Sequence, residues 1–184
     1  MKKRICLILA AVLLVTAAVG ATVAFLVDET PSVENAFYPT FVTCQVQESF
    51  DANANVKKNV YVQNTGDVFA YIRVAVVITW VDAQSGNTYG GAPVAGTDYT
   101  VTTGQEGWER GADGYYYCNA PVAAGDKTPI LIDSIAPVEG RAPEGYVLSV
   151  QIVASAIQAE PADAVLAAWS GVTVYDDGTI SPKQ

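Results

Sequence analysis

The 184-residue chain has no histidine, one methionine and only three cysteines. Without histidine it lacks the commonest metal ligand and the commonest general base near neutral pH. A zincin is excluded, because it needs two histidines on one helix turn with a glutamate as base, and no cysteine pair stands at zinc-ligand spacing. Neither G-x-S-x-G nor a glycine-rich phosphate loop before a helix is present. Charge is scarce too. With 16% charged and 51% hydrophobic residues, the composition is that of a folding chain and not a disordered one. Positive charge is the scarcer sign, at 10 Lys+Arg against 19 Asp+Glu. Three of the basic residues are Lys2, Lys3 and Arg4; without them 7 basic residues face 19 acidic ones, a net charge of −12. Such a surface repels nucleic acid and anionic lipid headgroups. The expectation is a protein without catalysis, cofactor, metal or nucleic-acid partner.

What is present begins with an export signal. Met1 to Arg4 is a basic start, Ile5 to Val19 is an apolar run broken only by Thr16, and Gly20–Ala24 supplies small residues. Thr22 and Ala24 suit the minus-three and minus-one positions of a cleavage site, which makes residues 1–24 a signal peptide and Phe25 the new N-terminus. The competing reading is a retained anchor. Ile5 to Val27 spans 23 residues, enough to cross a bilayer as a helix. Contact with a membrane is expected only through the uncleaved leader.

The rest reads as one β domain over residues 25–184. Thr40–Glu48 alternates, with Val42, Cys44 and Val46 on one face. Val56–Gln63 is a second strand ended by Asn64-Thr65-Gly66-Asp67, a turn signal. Phe69–Asp82 is the longest strand, with Ile72, Val74, Val76, Ile78 and Trp80 facing the core. Asp98–Thr103 is a short strand, and Trp108–Glu109 pairs with Tyr115–Cys118 across an Asp113-Gly114 turn. Ile130–Ile132 is short and apolar, and Pro137–Gly145 is a loop. Tyr146–Ala156 alternates again. Pro161–Trp169 reads as one short helix, with Val165/Trp169 and Ala162/Leu166 as an apolar stripe. A turn at Asp177-Gly178 follows. About eight closely spaced strands with Gly, Pro and Asn turns predict an all-β sandwich.

Three stretches resemble one family. GATVAFLVD followed by NAFYPTFVTCQVQESF, with Gly20, Phe25, Asp28, Asn35 and Phe37, looks like the processed start of the TasA/camelysin group of Gram-positive bacteria. KKNVYVQNTGDVFAYIRVAVVITW resembles the group's strand, turn and Tyr-x-Arg-Val strand. VQIVASAIQAEPADAVLAAW resembles its strand-then-helix close. The resemblance implies a jelly-roll topology, cleavage by a SipW-type signal peptidase, a secreted location, and service as a fibre subunit of the biofilm matrix or cell surface.

In that role the detached segment Phe25–Gln47 would donate a strand to a neighbour's sheet edge, with Phe37, Phe41, Val42 and Val46 filling the acceptor. The alternative is that Thr40–Gln47 pairs within its own domain. Cys44 and Cys118 can form a disulfide outside the cytoplasm or remain two buried thiols. Trp108, Tyr115, Tyr116, Tyr117, Tyr89 and Tyr99 can stack on sugar rings, the basis of an alternative reading as a secreted glycan- or protein-binding module, or simply pack across strands. Asp176-Asp177-Gly178-Thr179 suits a turn better than a calcium site, which needs oxygens from several segments.

Overall fold

The computed structural model describes residues 40–104 and 106–183. They form ten strands and one helix: β1 Cys44–Asp51, β2 Val56–Asn64, β3 Ala70–Asp82, β4 Tyr99–Thr103, β5 Trp108–Arg110, β6 Tyr116–Cys118, β7 Ile132–Pro137, β8 Tyr146–Gln158, α1 Ala162–Ala168, β9 Val172–Val174 and β10 Ile180–Pro182. The protein is therefore mostly β, with one short helix among the described residues. One four-stranded sheet has the order β1-β2-β7-β4, a second has β5-β6-β3-β8, and β9-β10 is a separate hairpin. Every strand pair is antiparallel. Among the described residues no helix is long and apolar enough to cross a membrane.

The two larger sheets share one apolar cluster. Val60 and Val62 of β2 and Ile132 and Ile135 of β7 meet Ile72 and Val74 of β3 and Cys118 of β6. Alternation produces this directly, since every second side chain of a strand faces the same way. The other face of β3 is not all solvent. Near its start Tyr71 joins a second cluster, in which Tyr71, Tyr117 and Ala159 pack on Val165, Trp169, Val172 and Ile180. α1 thus closes over the outer side of the second sheet at one end only. Its stripe is narrower than the sequence predicts. Val165 and Trp169 are buried, whereas Ala162 and Leu166 face solvent.

Four aspartates shape the turns, because a carboxylate one or two residues before a bend accepts the bend's own N–H groups. Asp51 accepts from Asn53 and Ala54, Asp82 from Gln84 and Ser85, Asp113 from Tyr115 and Asp177 from Thr179. The Asp-Asp-Gly-Thr stretch is accordingly a hairpin turn, with Gly178 at φ 79°, where a side chain would be strained.

β9 and β10 add two strands around the expected turn at Asp177-Gly178, β8 runs to Gln158, two residues past Ala156, and β1 and β7 are displaced. β1 runs Cys44–Asp51, displaced along the chain from Thr40–Glu48. β7 runs Ile132–Pro137, past the expected end at Ile132 and into the expected loop. The reason is a bulge. Thr102 pairs with Ser134 but Thr103 pairs with Ile132, so Asp133 is skipped. Ile132 and Ile135 both reach the core three positions apart, which hides the two-residue period.

Candidate functional site

Three features stand out on this scaffold: an open sheet edge, a clamp where the N-terminal segment enters, and a cleft. The edge is β8. It pairs with β3 along all 13 of its residues, from Ala70↔Gln158 to Asp82↔Tyr146, and is the last strand of its sheet. Its sequence, YVLSVQIVASAIQ, contains no charge and no proline. Edge strands of soluble proteins are usually blunted by lysine, proline or a bulge; β8 has none of these. Beside it, β1 is the edge of the first sheet, and the two strands lie against each other. The inward side chains Val76, Ile78, Val150 and Ile152 touch the core yet remain only half-buried. Outward-facing Val77, Val147 and Val153 are exposed. A hollow of about 260 Å³ opens at the Phe50, Lys57 and Leu148 end of this edge.

The clamp holds Phe41–Thr43 against the turn after β2. The Phe41 N–H donates to Asp67 Oδ1 at 2.7 Å, Asp67 N–H donates to the Phe41 carbonyl at 3.1 Å and Thr65 N–H to the Thr43 carbonyl at 3.0 Å. The Thr43 and Thr65 hydroxyls are 2.9 Å apart. Buried Asn64 holds the turn itself. Its amide donates to the Val68 and Val122 carbonyls at 2.8 and 2.9 Å and accepts from Gly66 N–H at 3.0 Å. Glycine is needed at 66 because a Cβ there would run into the Phe41 carbonyl oxygen. Gly66→Ala is expected to cost about 1–3 kcal/mol through this overpacking. Hydrogen exchange should show faster loss of protection at Phe41, Thr65 and Asp67 than elsewhere in the sheet.

Of the residues singled out from sequence, Val42, Cys44 and Val46 alternate as half-buried positions, and Phe41 is 63% exposed. Val46 pairs with Val62 of the same chain, so in the single chain the stretch from Cys44 to Gln47 is built into its own sheet. Ala24, Phe25 and Phe37, with the signal peptide and its cleavage site, lie outside the described residues.

The disulfide between Cys44 and Cys118 is not formed; both are free thiols. They sit on β1 and β6, strands of different sheets, and each packs into the shared core as a small apolar side chain. Burial pushes the Cys118 thiol up to about 11 and raises Cys44 as well. Only the thiolate reacts readily, so Cys118 should resist alkylation at pH 8 in the folded protein and label on unfolding, counted by mass spectrometry. Because the folded pKa lies above the ordinary value of 9.0, the stability it carries is complete below pH 9 and declines as pH rises through about 11.

The aromatic residues read either as a sugar platform or as cross-strand packing are dispersed. Tyr89 packs edge-on against Tyr146. The Trp108 indole donates to the Pro129 carbonyl. Tyr117 is buried, and with Tyr115 and Trp169 it surrounds Arg73. The guanidinium lies 4.3 Å from the Tyr115 ring and 4.8 Å from the Trp169 ring, while the Tyr117 hydroxyl donates to Asp113 Oδ2 at 2.6 Å. Here a cation is stacked between rings to hold α1 on the sheet.

A cleft of about 910 Å³ was not foreseen from sequence. It forms where three distant turns converge, and its lining includes Asp67, Phe69, Tyr71, Gln158, Glu160, Tyr175 and Asp176. Phe69 and Tyr175 are 58% and 51% exposed. Among the described residues no group of three or more Cys, Asp or Glu side chains is placed to hold a metal ion. No family model, no curated protein and no solved structure matches this chain.

Proposed function

We propose that the chain is an exported structural subunit which assembles into fibres of the extracellular matrix or cell surface by strand donation, without catalysis. In this reading the two larger sheets are the halves of a β-sandwich with jelly-roll-like topology, as in the TasA/camelysin group it resembles. The observation that carries the proposal is the β8 edge. It is long, uncharged and free of proline, and it borders the half-covered row Val76, Ile78, Val150 and Ile152. An extended segment from a second copy would supply the N–H and C=O partners of that edge and lay apolar side chains over the row.

The donor is the part of Phe25–Gln47 that precedes the clamp, led by Phe37. The clamp keeps Phe41–Thr43 on the donor's own domain, so one molecule gives a strand at one end and receives another along β8. Such head-to-tail contact does not close, and it propagates as a filament. Cleavage by a SipW-type signal peptidase after Ala24 would free the donor; the uncleaved protein would stay tethered to the membrane.

The test is electron microscopy of the processed protein. Filaments are expected from the wild type and not from a variant lacking residues 25–35. The double substitution Gln151→Lys and Val153→Lys should sharply reduce filament length by charging the edge. Processed protein that stays monomeric at high concentration would sink the proposal.

A further inference from the structure

The cleft beside Phe69 lies on the opposite face of β3 from the half-covered row. Tyr71 and Val76 point to opposite faces of the strand, and Tyr71 lines the cleft. It adjoins the C-terminal end of β8 at Gln158 and the clamp at Asp67, but Phe69, Glu160 and Tyr175 belong to neither.

Its size is in the range of ligand pockets, which run from about 300 to 1,000 Å³ against about 910 Å³ here. Its lining contains no lysine or arginine, so no side-chain cation in it offsets the acidic rim. Asp67, Glu160 and Asp176 stand on its rim. The two ion pairs among the described residues, Lys57 with Glu48 and Arg141 with Asp98, involve none of them. The negative field is felt inside the cleft. The Tyr71 phenol is raised first by burial and then by Asp177 and Glu160. An aromatic face is electron-rich and attracts cations as well as flat apolar ring faces. Phe69 and Tyr175 present two such faces at more than half exposure. Gln158 adds an amide that can both donate and accept.

Each of these features alone suits many ligands. Together they select one class, a ligand with a flat, partly apolar ring, hydroxyl groups and positive charge. We propose that this cleft binds an amino sugar oligomer with free ammonium groups. The rings stack on Phe69 and Tyr175, the ammonium groups face Glu160 and Asp176, and the hydroxyls meet Gln158.

The experiment is calorimetric titration of the processed wild-type protein with three probes: a β-1,4-linked glucosamine tetramer, its fully N-acetylated counterpart, and spermine. Binding of the glucosamine tetramer alone is expected. It should weaken as salt rises from about 0.01 M to about 1 M, which shortens the Debye length from about 30 Å to about 3 Å. Tyr175→Ala should raise Kd about tenfold, the loss expected for one ring contact, and Glu160→Gln should reduce the salt dependence. Both positions face solvent, so circular dichroism and the melting temperature should match the wild type and show that the fold is kept. Equal binding of the N-acetylated tetramer would overturn the charge requirement. Equal binding of spermine would overturn the sugar, and no binding of any probe would overturn the site. Filament formation is scored separately in the same variants and should be unchanged.

Discussion

Trp169→Ala is expected to lower stability by about 3–5 kcal/mol, the cost of deleting a large aromatic from a packed core. Trp169 is 5% exposed. Its ring stands edge-on to Tyr117 at 5.9 Å and carries the Arg73 guanidinium on its face. Removing it uncovers Tyr117 and Tyr71 and strips Arg73 of one of its two stacking partners. α1 has only seven residues and cannot persist without this anchor, because short isolated helices are marginal in water. Denaturant unfolding should therefore show a lower midpoint, and near-ultraviolet circular dichroism should lose part of its aromatic signal. Leu166→Ala, on the solvent side of the same helix, should stay within about 0.5 kcal/mol of the wild type. A similar loss in both variants would mean that α1 is held by its own propensity and not by the tryptophan.

Asn64→Ala is the second large effect, at about 2–4 kcal/mol, because it removes three hydrogen bonds and takes this partner from the Val68 carbonyl and the Gly66 N–H, while Val122 keeps the Ala70 N–H. The side chain is 0% exposed and ties the Val68 and Val122 carbonyls to the Gly66 amide. Val122 also pairs with Ala70 through two backbone hydrogen bonds, so the amide links the start of β3 to the strand-like stretch that follows β6. Asn64→Asp keeps the shape and the bond from Gly66 but replaces both donors with an acceptor facing two carbonyl oxygens. It should be at least as damaging. Thermal melting of the two variants decides the matter; a wild-type midpoint for either would show that water replaces the lost bonds.

Where the sequence keeps a strict period, the structure follows it. β3 and β8 pair without a register break over 13 residues each, and the β5-β6 hairpin forms across the Asp113-Gly114 step with Trp108 opposite Cys118. These are local signals. Where the backbone breaks register the signal fades, as in β7, whose bulge at Asp133 spaces its core residues by three. The role of Asn64 was not legible either, since a turn residue and a buried network centre look alike in a linear chain. The cleft is less legible still. Phe69, Glu160 and Tyr175 are far apart along the chain, and only the sheet order brings them to one end. The dispersed tyrosines have the same cause in reverse, as neighbours in sequence are sent to opposite faces of one strand. The half-burial of Val76 and Ile78 depends on how far the facing sheet extends, which no side-chain pattern encodes.

The two free thiols have a consequence for where the protein can serve. With Cys44 and Cys118 unbonded, no covalent loop closes within the described residues, and the folded state rests on packing and hydrogen bonds alone. The described residues therefore hold no disulfide for a reductant to cleave. The domain is expected to melt at the same temperature with and without a reducing agent.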